Sequence, residues 1–516
     1  MHTFAAIDIG SNSCRLKIAR VVAHRLKTLH EDREVTRLGA SVFDAGLVSP
    51  EAMATTLRAL KRFQRATQQH GVDRTRIVAT SAMRDARNAP AFQAWVKAET
   101  GWTIEIISGL EEGRLIHHGL VGSELNMGGR VLLIDLGGGS CEITLSEHKR
   151  IKETISLPLG AVRLTEQFLT DDPPSADGLA RMRRLISREL RRAHRKFQPA
   201  GIAQVVATSG TAAALAEACA AMGKSSKRNG RAAGAAPFAT APAASVRKLA
   251  GKLARMSLPQ RAAVQGIGPR RAEIIVAGAQ VFAELMESFN LKGFRYSPLG
   301  LSDGVLAQML AENDARAANH REFEHERWQS VLGTALRYGI DPRHAEPVRA
   351  HAAQLFRDLK ALHKMPDDYL SWLNAAAILR DTGKFINHQG HHRHTQYIIS
   401  SSEMYGFTQV QRTIVSAIAR YMGKSRPQPG DRALRNIPPE DHKHVQRAVV
   451  LLRLAVALNQ DRASDVLRVR AKVYPRRLLL QLKPGRTGAE LELWSLRKEA
   501  AYFREVFDRE LFVTLA

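Results

Sequence analysis

The sequence is short of cysteine and of long apolar runs. Its 516 residues include three cysteines, Cys14, Cys141 and Cys219. So few cysteines exclude the dense disulfide framework of small secreted domains and suit a reducing compartment. No apolar run reaches the roughly 18 residues that a membrane-spanning helix needs, and the first residues are typical of a strand rather than a secretion signal. We therefore expect a soluble, cytoplasmic protein with no membrane partner.

Aromatic and acidic residues are also scarce. Aromatic residues make up 6% of the chain, and 50 acidic residues stand against 76 lysines and arginines, which gives a net charge of +26. The basic excess predicts an anionic substrate or partner. Nucleic acid is not the expected one, because few rings are available to stack on bases and no zinc-ligand spacing or RNA-recognition motif is present.

The pattern of apolar residues changes along the chain. Short strand-like runs alternate with amphipathic helical stretches as far as about residue 312, and long helical patterns follow. We predict four regions: an α/β half at 1–124, a second α/β half at 125–312, a helical domain at 313–468 and a small α+β domain at 469–516. A Gly-, Ala- and cation-rich stretch at 222–244 lacks periodicity and is predicted to be a flexible insertion.

Each α/β half begins with the same kind of turn. The segments IDIGSNSCRLKIA (7–19) and IDLGGGSCEITLS (134–146) share Ile-Asp-x-Gly, three small residues and a β-rich exit strand. Two-residue hairpin turns would place Asp8 opposite Arg15, and Asp135 opposite Glu142. Two facing carboxylates are unfavourable unless a cation lies between them or they splay into water.

These turns predict a metal and phosphate site. A divalent cation, expected to be Mg²⁺, takes oxygen ligands and usually binds together with phosphates, so Asp8, Asp135 and Glu142 are the candidate ligands. Glycines permit positive φ angles and expose backbone amides to a phosphate, while an arginine can bind it directly. The candidate phosphate-binding residues in the two turns are Gly10, Ser11, Asn12, Ser13, Arg15, Gly137, Gly138, Gly139 and Ser140.

A third glycine-containing corner lies in VVATSGTAAALAEA, between a predicted strand and a predicted helix. Ser209 or Thr211 is expected to cap this helix, whose free amides and dipole favour an anion. Ser209, Gly210 and Thr211 are therefore added to the candidate phosphate-binding residues, although simple helix capping explains the same pattern.

Together these segments resemble a known family. Two DxG turns heading duplicated halves are similar to the actin-like ATPase (ribonuclease H-like) superfold. Within that superfold the sequence resembles the exopolyphosphatase and guanosine pentaphosphate phosphohydrolase (Ppx/GppA) family. The segments that carry the resemblance are DIGSNSCRL (8–16), ATSAMRDARN (79–88), ISGLEEGRLIHHG (107–119), IDLGGGSCEI (134–143), TSGT (208–211) and RRAEIIVAGA (270–279).

The resemblance implies roles for individual residues. The family's catalytic glutamate corresponds to Glu112, expected to act as the general base that activates water for in-line attack on a terminal phosphorus. Glu111 points about 100° away on the same helix and is expected to complete a capping box with Ser108. Arg84 matches the family's phosphate-contacting arginine. Arg271 resembles another family position, but Glu273 replaces the Asp that usually follows it.

The helical region resembles the HD-type domain of long family members. A metal-binding HD site needs a His-Asp pair, and here the histidine of that pair is replaced by Arg380, next to Asp381. An arginine cannot bind a cation, so we predict no metal-dependent hydrolysis in this domain, although His344 is retained. The neighbouring histidines are expected to be structural or to contact anions; they are His388, His391, His392 and His394.

Two related activities and one unrelated function are consistent with the sequence. The leading hypothesis is a Mg²⁺-dependent exopolyphosphatase that removes phosphate from the end of inorganic polyphosphate, because the basic charge suits a polyanion. The alternative is a pppGpp 5′-phosphohydrolase that makes ppGpp with the same residues. A nucleic-acid-binding protein is the less favoured third reading. A homodimer is implied by the resemblance alone.

Overall fold

The computed structural model describes residues 2–121, 128–197, 201–224, 239–460, 467–484 and 488–515. The chain divides into two compact units, Met1–Arg321 and Glu322–Ala516. Among the described residues, no helix has both the length and the apolar composition needed to cross a membrane.

The first half of unit 1 is built on a five-stranded sheet. Its strands are β1 Thr3–Ile9, β2 Cys14–Val22, β3 Arg25–Glu34, β4 Arg74–Ala79 and β5 Glu105–Ile106. Its helices are α1 Val42–Ala45, α2 Pro50–Gln69, α3 Ser81–Asp85, α4 Ala89–Thr100 and α5 Gly109–Val121. The longest of these, α2, begins where the Ser49 side chain accepts a hydrogen bond from the Ala52 amide and a proline occupies the first turn.

The second half of unit 1 is built on a six-stranded sheet. Its strands are β6 Arg130–Leu136, β7 Cys141–Glu147, β8 Arg150–Leu157, β9 Gln204–Thr208, β10 Thr240–Pro242 and β11 Gly293–Tyr296. Its helices are α6 Ala161–Phe168, α7 Ala176–Phe197, α8 Ser209–Lys224, α9 Ala243–Leu253, α10 Leu258–Ala262, α11 Ile275–Ser288 and α12 Leu301–Asn313.

The two sheets share one topology. The strand orders are β3-β2-β1-β4-β5 and β8-β7-β6-β9-β11-β10. In the first sheet β1, β2 and β3 pair antiparallel in succession, and β1 pairs in parallel with β4 on its other edge. In the second sheet β6, β7 and β8 pair antiparallel in the same way, and β6 pairs in parallel with β9. The duplicated α/β architecture predicted from the repeated turns is therefore confirmed.

The registers of the two hairpins are also those predicted. Asp8 lies opposite Arg15, and Asp135 lies opposite Glu142. Each hairpin is closed by a four-residue loop in which the first amide donates to the fourth carbonyl, Gly10 to Ser13 (3.1 Å) in the first hairpin. The same bond joins the first and fourth residues of the loop at 137–140. Asp8 near the end of β1 and Asp135 near the end of β6 thus line the same cleft from equivalent positions.

Helix α5 packs closely on the strand pair β7–β8. A Cβ at Gly109 would overlap the hydroxyl of Ser156, and one at Gly113 would overlap the Thr154 methyl group. Gly119 makes a similarly close approach to Gly304 of α12. The glycines of α5 therefore let the helix approach β7, which carries Glu142.

Unit 2 combines helices with a three-stranded sheet around one hydrophobic core. Its helices are α13 His320–Arg337, whose first two residues lie in unit 1, α14 Pro342–Asp358, α15 Lys360–His363, α16 Asp368–Leu379, α17 His391–Ser401, α18 Gln409–Arg420, α19 His442–Ala457 and α20 Glu490–Phe507. Short 3-10 helices lie at Thr382–Phe385 and Pro439–Asp441. The strands are β12 Arg468–Val473, β13 Arg477–Lys483 and β14 Glu510–Leu515, in the order β12-β13-β14.

The predicted insertion at 222–244 is wrong at both ends. Residues 222–224 complete helix α8, residues 240–242 form strand β10, and the next two residues begin α9. Strand β10 pairs with β11, which explains why a Pro- and Ala-rich stretch is ordered here at the edge of the sheet. The remainder of the predicted insertion, 225–238, lies outside the described residues.

Candidate active site

The two hairpin loops are held from behind by backbone hydrogen bonds. In the first loop, the carbonyl of Ser11 accepts from Gly39 (2.7 Å) and that of Asn12 accepts from Thr36 and Arg37 (3.2 and 3.1 Å). Because the carbonyl oxygens are engaged on this side, the loop is held in one conformation at the edge of the cleft.

The second loop is fixed in an equivalent way by the start of helix α6. The carbonyl of Gly137 accepts from Ala161 (3.0 Å), and the carbonyl of Gly138 accepts from Val162 and Arg163 (2.8 and 3.1 Å). Both loops therefore have carbonyls engaged by a neighbouring segment, which leaves the side of each loop that lines the cleft available to a ligand.

The positive φ angles predicted for the glycines of the second loop are wrong. Gly137, Gly138 and Gly139 are not among the residues with positive φ. Two of them are needed for close packing instead: a Cβ at Gly138 would lie 3.0 Å from Cβ of Ser11 in the other loop, and one at Gly139 would overlap Ser81. Glycine lets the two loops touch across the cleft.

Three carboxylates cluster beside these loops. Oxygen atoms of Glu112, Asp135 and Glu142 all lie within 4.8 Å of one another. Ser156 donates to Oε1 of Glu142 (2.7 Å), whereas the buried Oε2 has no hydrogen-bond partner. Asp8 lines the same cleft without belonging to this three-residue cluster. The sequence thus predicted Asp135 and Glu142 as a pair, and the structure adds Glu112 to them.

The cluster strongly disfavours ionisation. Burial raises the pKa of Glu112 well above its usual range, and Glu142 raises it further while Arg84 lowers it. Burial and the neighbouring Glu142 raise the pKa of Asp135 to about 7. Burial likewise raises the pKa of Glu142 and of Asp8. Three close carboxylates with a partnerless buried oxygen fit a divalent cation, which would compensate their charge.

Glu111 and Glu112 point in different directions, as the helix geometry predicts. The Ser108 hydroxyl accepts from the Glu111 amide (3.2 Å), which confirms the predicted cap. The Glu111 carboxylate does not close a capping box but accepts two hydrogen bonds from Arg114 (2.8 and 2.9 Å). Glu112 is 6% exposed and lines the cleft. The ion pair with Arg114 keeps Glu111 out of the site.

Arg84 links the catalytic candidate to the second loop. Its Nη1 donates to Oε2 of Glu112 (3.0 Å) and to the carbonyl of Ile107 (2.8 Å), and its Nη2 donates to Oγ of Ser140 (3.3 Å). A guanidinium held in this way fixes the Glu112 carboxylate and keeps a positive charge directly behind it.

Arg163 also holds this loop, although no motif in the sequence pointed to it. Its Nε donates to the carbonyl of Gly139 (2.7 Å), and its Nη2 donates to Oγ of Ser81 (3.1 Å) and to Asp85. The guanidinium carbon lies 4.0 Å from the ring centroid of Phe43. Arg163 therefore connects the glycine loop of the second half to helices α1 and α3 of the first.

The third corner differs from its predicted form. Ser209 is the first residue of α8, has a φ of 83° and keeps a buried hydroxyl without a hydrogen-bond partner. Thr211 is buried inside the helix against Gly278. Neither residue makes the predicted cap, although Ser209 and Gly210 line the cleft. A strained residue with a free buried hydroxyl at a cleft is typical of a ligand site.

Arg271 faces this corner, and Arg15 and Arg33 lie close to it. Among the described residues none of these three arginines forms a contact ion pair with a carboxylate, although Asp8 partly offsets the charge on Arg33. Gly210 lies directly against Arg271, because an added Cβ would overlap the guanidinium. Burial, Arg33 and Arg15 together lower the pKa of Arg271 to about 9, and burial, Arg15 and Arg270 lower that of Arg33 to about 10. Like charges held this close favour a bound anion. Glu273 instead pairs with Arg37 (2.9 Å) away from these arginines.

The cleft encloses about 700 Å³ of empty space, part of it open to solvent. Most of the predicted residues line it: Asp8, Gly10, Ser11, Asn12, Ser13, Arg15, Glu112, Asp135, Gly137, Gly138, Gly139, Ser140, Ser209 and Gly210. Three predicted residues do not line the cleft. Arg84 lies behind Glu112 and donates to it, Glu142 has a carboxylate oxygen within 4.8 Å of one of Glu112, and Thr211 is buried. Residues that were not predicted to belong to the site also line it: Thr80, Leu136, Thr208, Arg271, Ile274, Gly300 and Leu301.

The HD-like position of unit 2 is occupied by an ion-pair network. Asp381 pairs with Lys384 (2.7 Å), Arg380 (3.5 Å) and His391 (3.6 Å). Burial raises the pKa of Asp381, but these cations outweigh burial and hold it below its usual range. His344 is 85% exposed and lies 3.8 Å from Asp341. Among the described residues of unit 2, no group of three potential metal ligands comes together.

The Ppx/GppA phosphatase family matches residues 17–313, and domain III of Ppx/GppA phosphatases matches residues 327–500. A guanosine-5′-triphosphate,3′-diphosphate pyrophosphatase of Aeromonas salmonicida is 28% identical over 416 residues, which cover 80% of this chain and 79% of that protein. The protein of the same name from Aeromonas hydrophila is 28% identical over 419 residues, with the same coverage.

Solved structures resemble part of the chain. The Ppx/GppA family member of Aquifex aeolicus is 29% identical and covers 61% of this chain and 99% of its own, with a TM-score of 0.51. An exopolyphosphatase from Cytophaga hutchinsonii is 25% identical, with coverage of 60% and 98% and a TM-score of 0.55.

Proposed function

Since the chain belongs to the Ppx/GppA phosphatase family, we propose that it hydrolyses the terminal phosphoanhydride of guanosine-5′-triphosphate,3′-diphosphate and releases orthophosphate. The observation that carries the proposal is the buried cluster of Glu112, Asp135 and Glu142 between two loops that face a common cleft. The choice of substrate follows the names of the two Aeromonas relatives, and it reverses the preference for polyphosphate expected from net charge alone.

In the proposed reaction Glu112 acts as the base, and other residues of the cleft orient it or bind the phosphate. Glu112 accepts a proton from the water whose oxygen attacks the terminal phosphorus, and the bond from that phosphorus to the bridging oxygen breaks. Burial and the neighbouring Glu142 raise the pKa of Glu112, which makes its carboxylate a stronger base than an exposed glutamate. Arg84 orients the Glu112 carboxylate, and the loop amides and Arg15 bind the non-bridging phosphate oxygens.

A divalent cation, with Mg²⁺ the best candidate, fits the carboxylate cluster. Asp135 and Glu142 would hold it, with Asp8 across the cleft, and it would neutralise charge on the phosphate oxygens. The partnerless Oε2 of Glu142 supports this assignment. The arginines Arg33 and Arg271 provide counter-charge for the rest of a highly anionic substrate.

Exopolyphosphatase activity is the second candidate. The net charge of +26 supports it, as does the likeness to a solved structure named as an exopolyphosphatase. The same Glu112 and the same cleft serve both substrates, because each presents a terminal phosphoanhydride on a chain of phosphates.

Steady-state phosphate release distinguishes the two candidates. Purified protein with Mg²⁺ is given pppGpp or long-chain polyphosphate at equal concentrations of terminal phosphate, and the Glu112→Gln variant is the control for contaminating phosphatases. A kcat/KM at least tenfold higher for pppGpp, with ppGpp as the nucleotide product, supports the proposal. The opposite ratio supports exopolyphosphatase, and release from neither substrate contradicts both.

A further inference from the structure

The three-stranded sheet of unit 2 has one buried and one open face. Leu478, Leu480 and Leu482 of the central strand are fully buried in the core of the unit. The alternate residues of β13 point the other way, and the pairing with β12 and β14 adds their neighbours to this open face. The open-face residues are Arg468, Arg470, Lys472, Arg477, Leu479, Gln481, Lys483, Glu510, Phe512 and Thr514.

Five of these ten residues are cations. Arg468 lies directly opposite Lys483, although like charges facing each other across a ladder are unfavourable. Within the described part of the chain, the cations of β12 and Lys483 make no ion pair with a carboxylate. The acidic residue of the open face, Glu510, pairs with Arg504 instead (3.0 Å). An open face with this charge is suited to a polyanion.

Exposed rings lie among the same cations. Phe512 is 48% exposed and Tyr474, in the turn between β12 and β13, is 38% exposed. The Arg477 guanidinium carbon lies 4.9 Å from the Tyr474 centroid and 5.8 Å from the Phe512 centroid. Partly exposed rings beside cations that have no carboxylate partner form the kind of platform on which unpaired bases stack.

We propose that this open sheet face binds single-stranded nucleic acid, with bases stacked on Phe512 and Tyr474 and phosphates on the cations of β12. An inorganic polyphosphate would use the cations but gain nothing from the two rings. A second copy of this chain that docked through the same face would place five cations opposite five cations, which repel each other. The combination of rings and cations favours a nucleic acid over both, and the site lies outside the catalytic machinery of unit 1.

Fluorescence anisotropy of a labelled, mixed-sequence oligonucleotide of about 16 nucleotides tests the proposal, with RNA and DNA probes compared. The full-length protein is expected to bind, and Phe512→Ala with Tyr474→Ala weakens binding about tenfold or more. Phe512→Trp keeps the affinity, because a ring is retained. Arg470→Gln with Lys472→Gln also weakens binding and lowers the slope of log affinity against log salt by about 1.4.

Matched controls separate this site from general charge. Tyr397→Ala removes a ring that is 68% exposed elsewhere in unit 2, and Arg393→Gln with Lys424→Gln removes two charges outside the sheet. Both controls are expected to bind like the unchanged protein, and phosphate release from pppGpp is unchanged in all the sheet variants. The proposal is overturned if the ring variants bind the probe normally, or if polyphosphate binding depends on the rings as strongly as oligonucleotide binding does.

Discussion

Nη1 of Arg84 lies 3.0 Å from Oε2 of Glu112, although 28 residues separate the two in the chain. The same guanidinium reaches Ser140 in the glycine loop of the other half of unit 1. One arginine thus joins the carboxylate on α5 to a loop that faces the cleft. This contact places Glu112 where a water molecule bound between the loops could be deprotonated.

Replacing Glu112 with Gln is expected to lower kcat for phosphate release by about 10²–10⁴, because the amide cannot accept the proton of the attacking water. Substrate binding should persist, since one negative charge is removed from the cleft. Steady-state kinetics and equilibrium binding of pppGpp measure the two effects.

The adjacent Glu111→Gln variant is the matched control. It weakens the ion pair with the 4% exposed Arg114, so it should lower Tm and leave kcat nearly unchanged. A kcat within fivefold of the unchanged protein for Glu112→Gln would rule out Glu112 as the base.

Gly210→Ala is expected to raise KM for pppGpp at least tenfold. The new methyl group would overlap the guanidinium of Arg271, which must then leave its place in the cleft wall. Gly251→Ala in α9 is the matched control, because an added Cβ there meets nothing within 4 Å. That control should raise stability by about 0.5–1 kcal/mol and leave KM unchanged. An unaltered KM in Gly210→Ala would show that Arg271 does not contact the substrate.

The register of the two hairpins that line the cleft was predictable from the sequence, whereas the residues that surround them were not. Strand pairing follows from local chemistry, since a short turn between two β-rich segments fixes which residues face each other. Asp135 and Glu142 could therefore be paired in advance. Arg163 and Arg271 reach the site through tertiary packing. Arg271 lies in a segment that resembles the family, but no local pattern places it in the cleft, and nothing in the sequence singles out Arg163.

Two features of the fold could not be predicted from the sequence. The glycines of the second loop were expected to supply positive φ, but Gly138 and Gly139 permit contact with Ser11 and Ser81 instead. The low aromatic content of the whole chain argued against a nucleic-acid partner. An average of this kind does not show where exposed rings lie together. Strand pairing gathers Phe512 and Tyr474 with cations that are up to 44 residues away in sequence, and only the fold shows this.

Glu142→Gln is expected to stabilise the metal-free protein and to remove its response to Mg²⁺. The substitution relieves repulsion with Glu112 and Asp135, which should raise Tm without Mg²⁺ by about 2–4 °C. Added Mg²⁺ should raise the Tm of the unchanged protein but not that of the variant. Glu147→Gln on the same strand is the control and should behave like the unchanged protein. Equal Mg²⁺ responses in all three proteins would exclude the carboxylate cluster as the metal site.

His351 is expected to make unit 2 sensitive to acid. This residue of α14 is 1% exposed, neither ring nitrogen has a hydrogen-bond partner, and burial lowers its pKa to about 4 from an ordinary value of 6.5. The unfolded chain therefore binds a proton more tightly than the folded one. The stability that neutral, buried His351 contributes is fully present above pH 6.5 and is lost as the pH falls from 6.5 toward 4.

Between pH 7.5 and pH 5 this single histidine should lower the free energy of unfolding by about 2 kcal/mol. His351→Leu keeps the site apolar and removes the proton-binding group, so the variant should lose less stability than the unchanged protein over that range. His344→Leu, an exposed position on the same helix, is the control and should leave the pH dependence as it is. Urea unfolding at the two pH values measures the difference, and identical pH dependence in His351→Leu and the unchanged protein would show that His351 is not the acid-sensitive group.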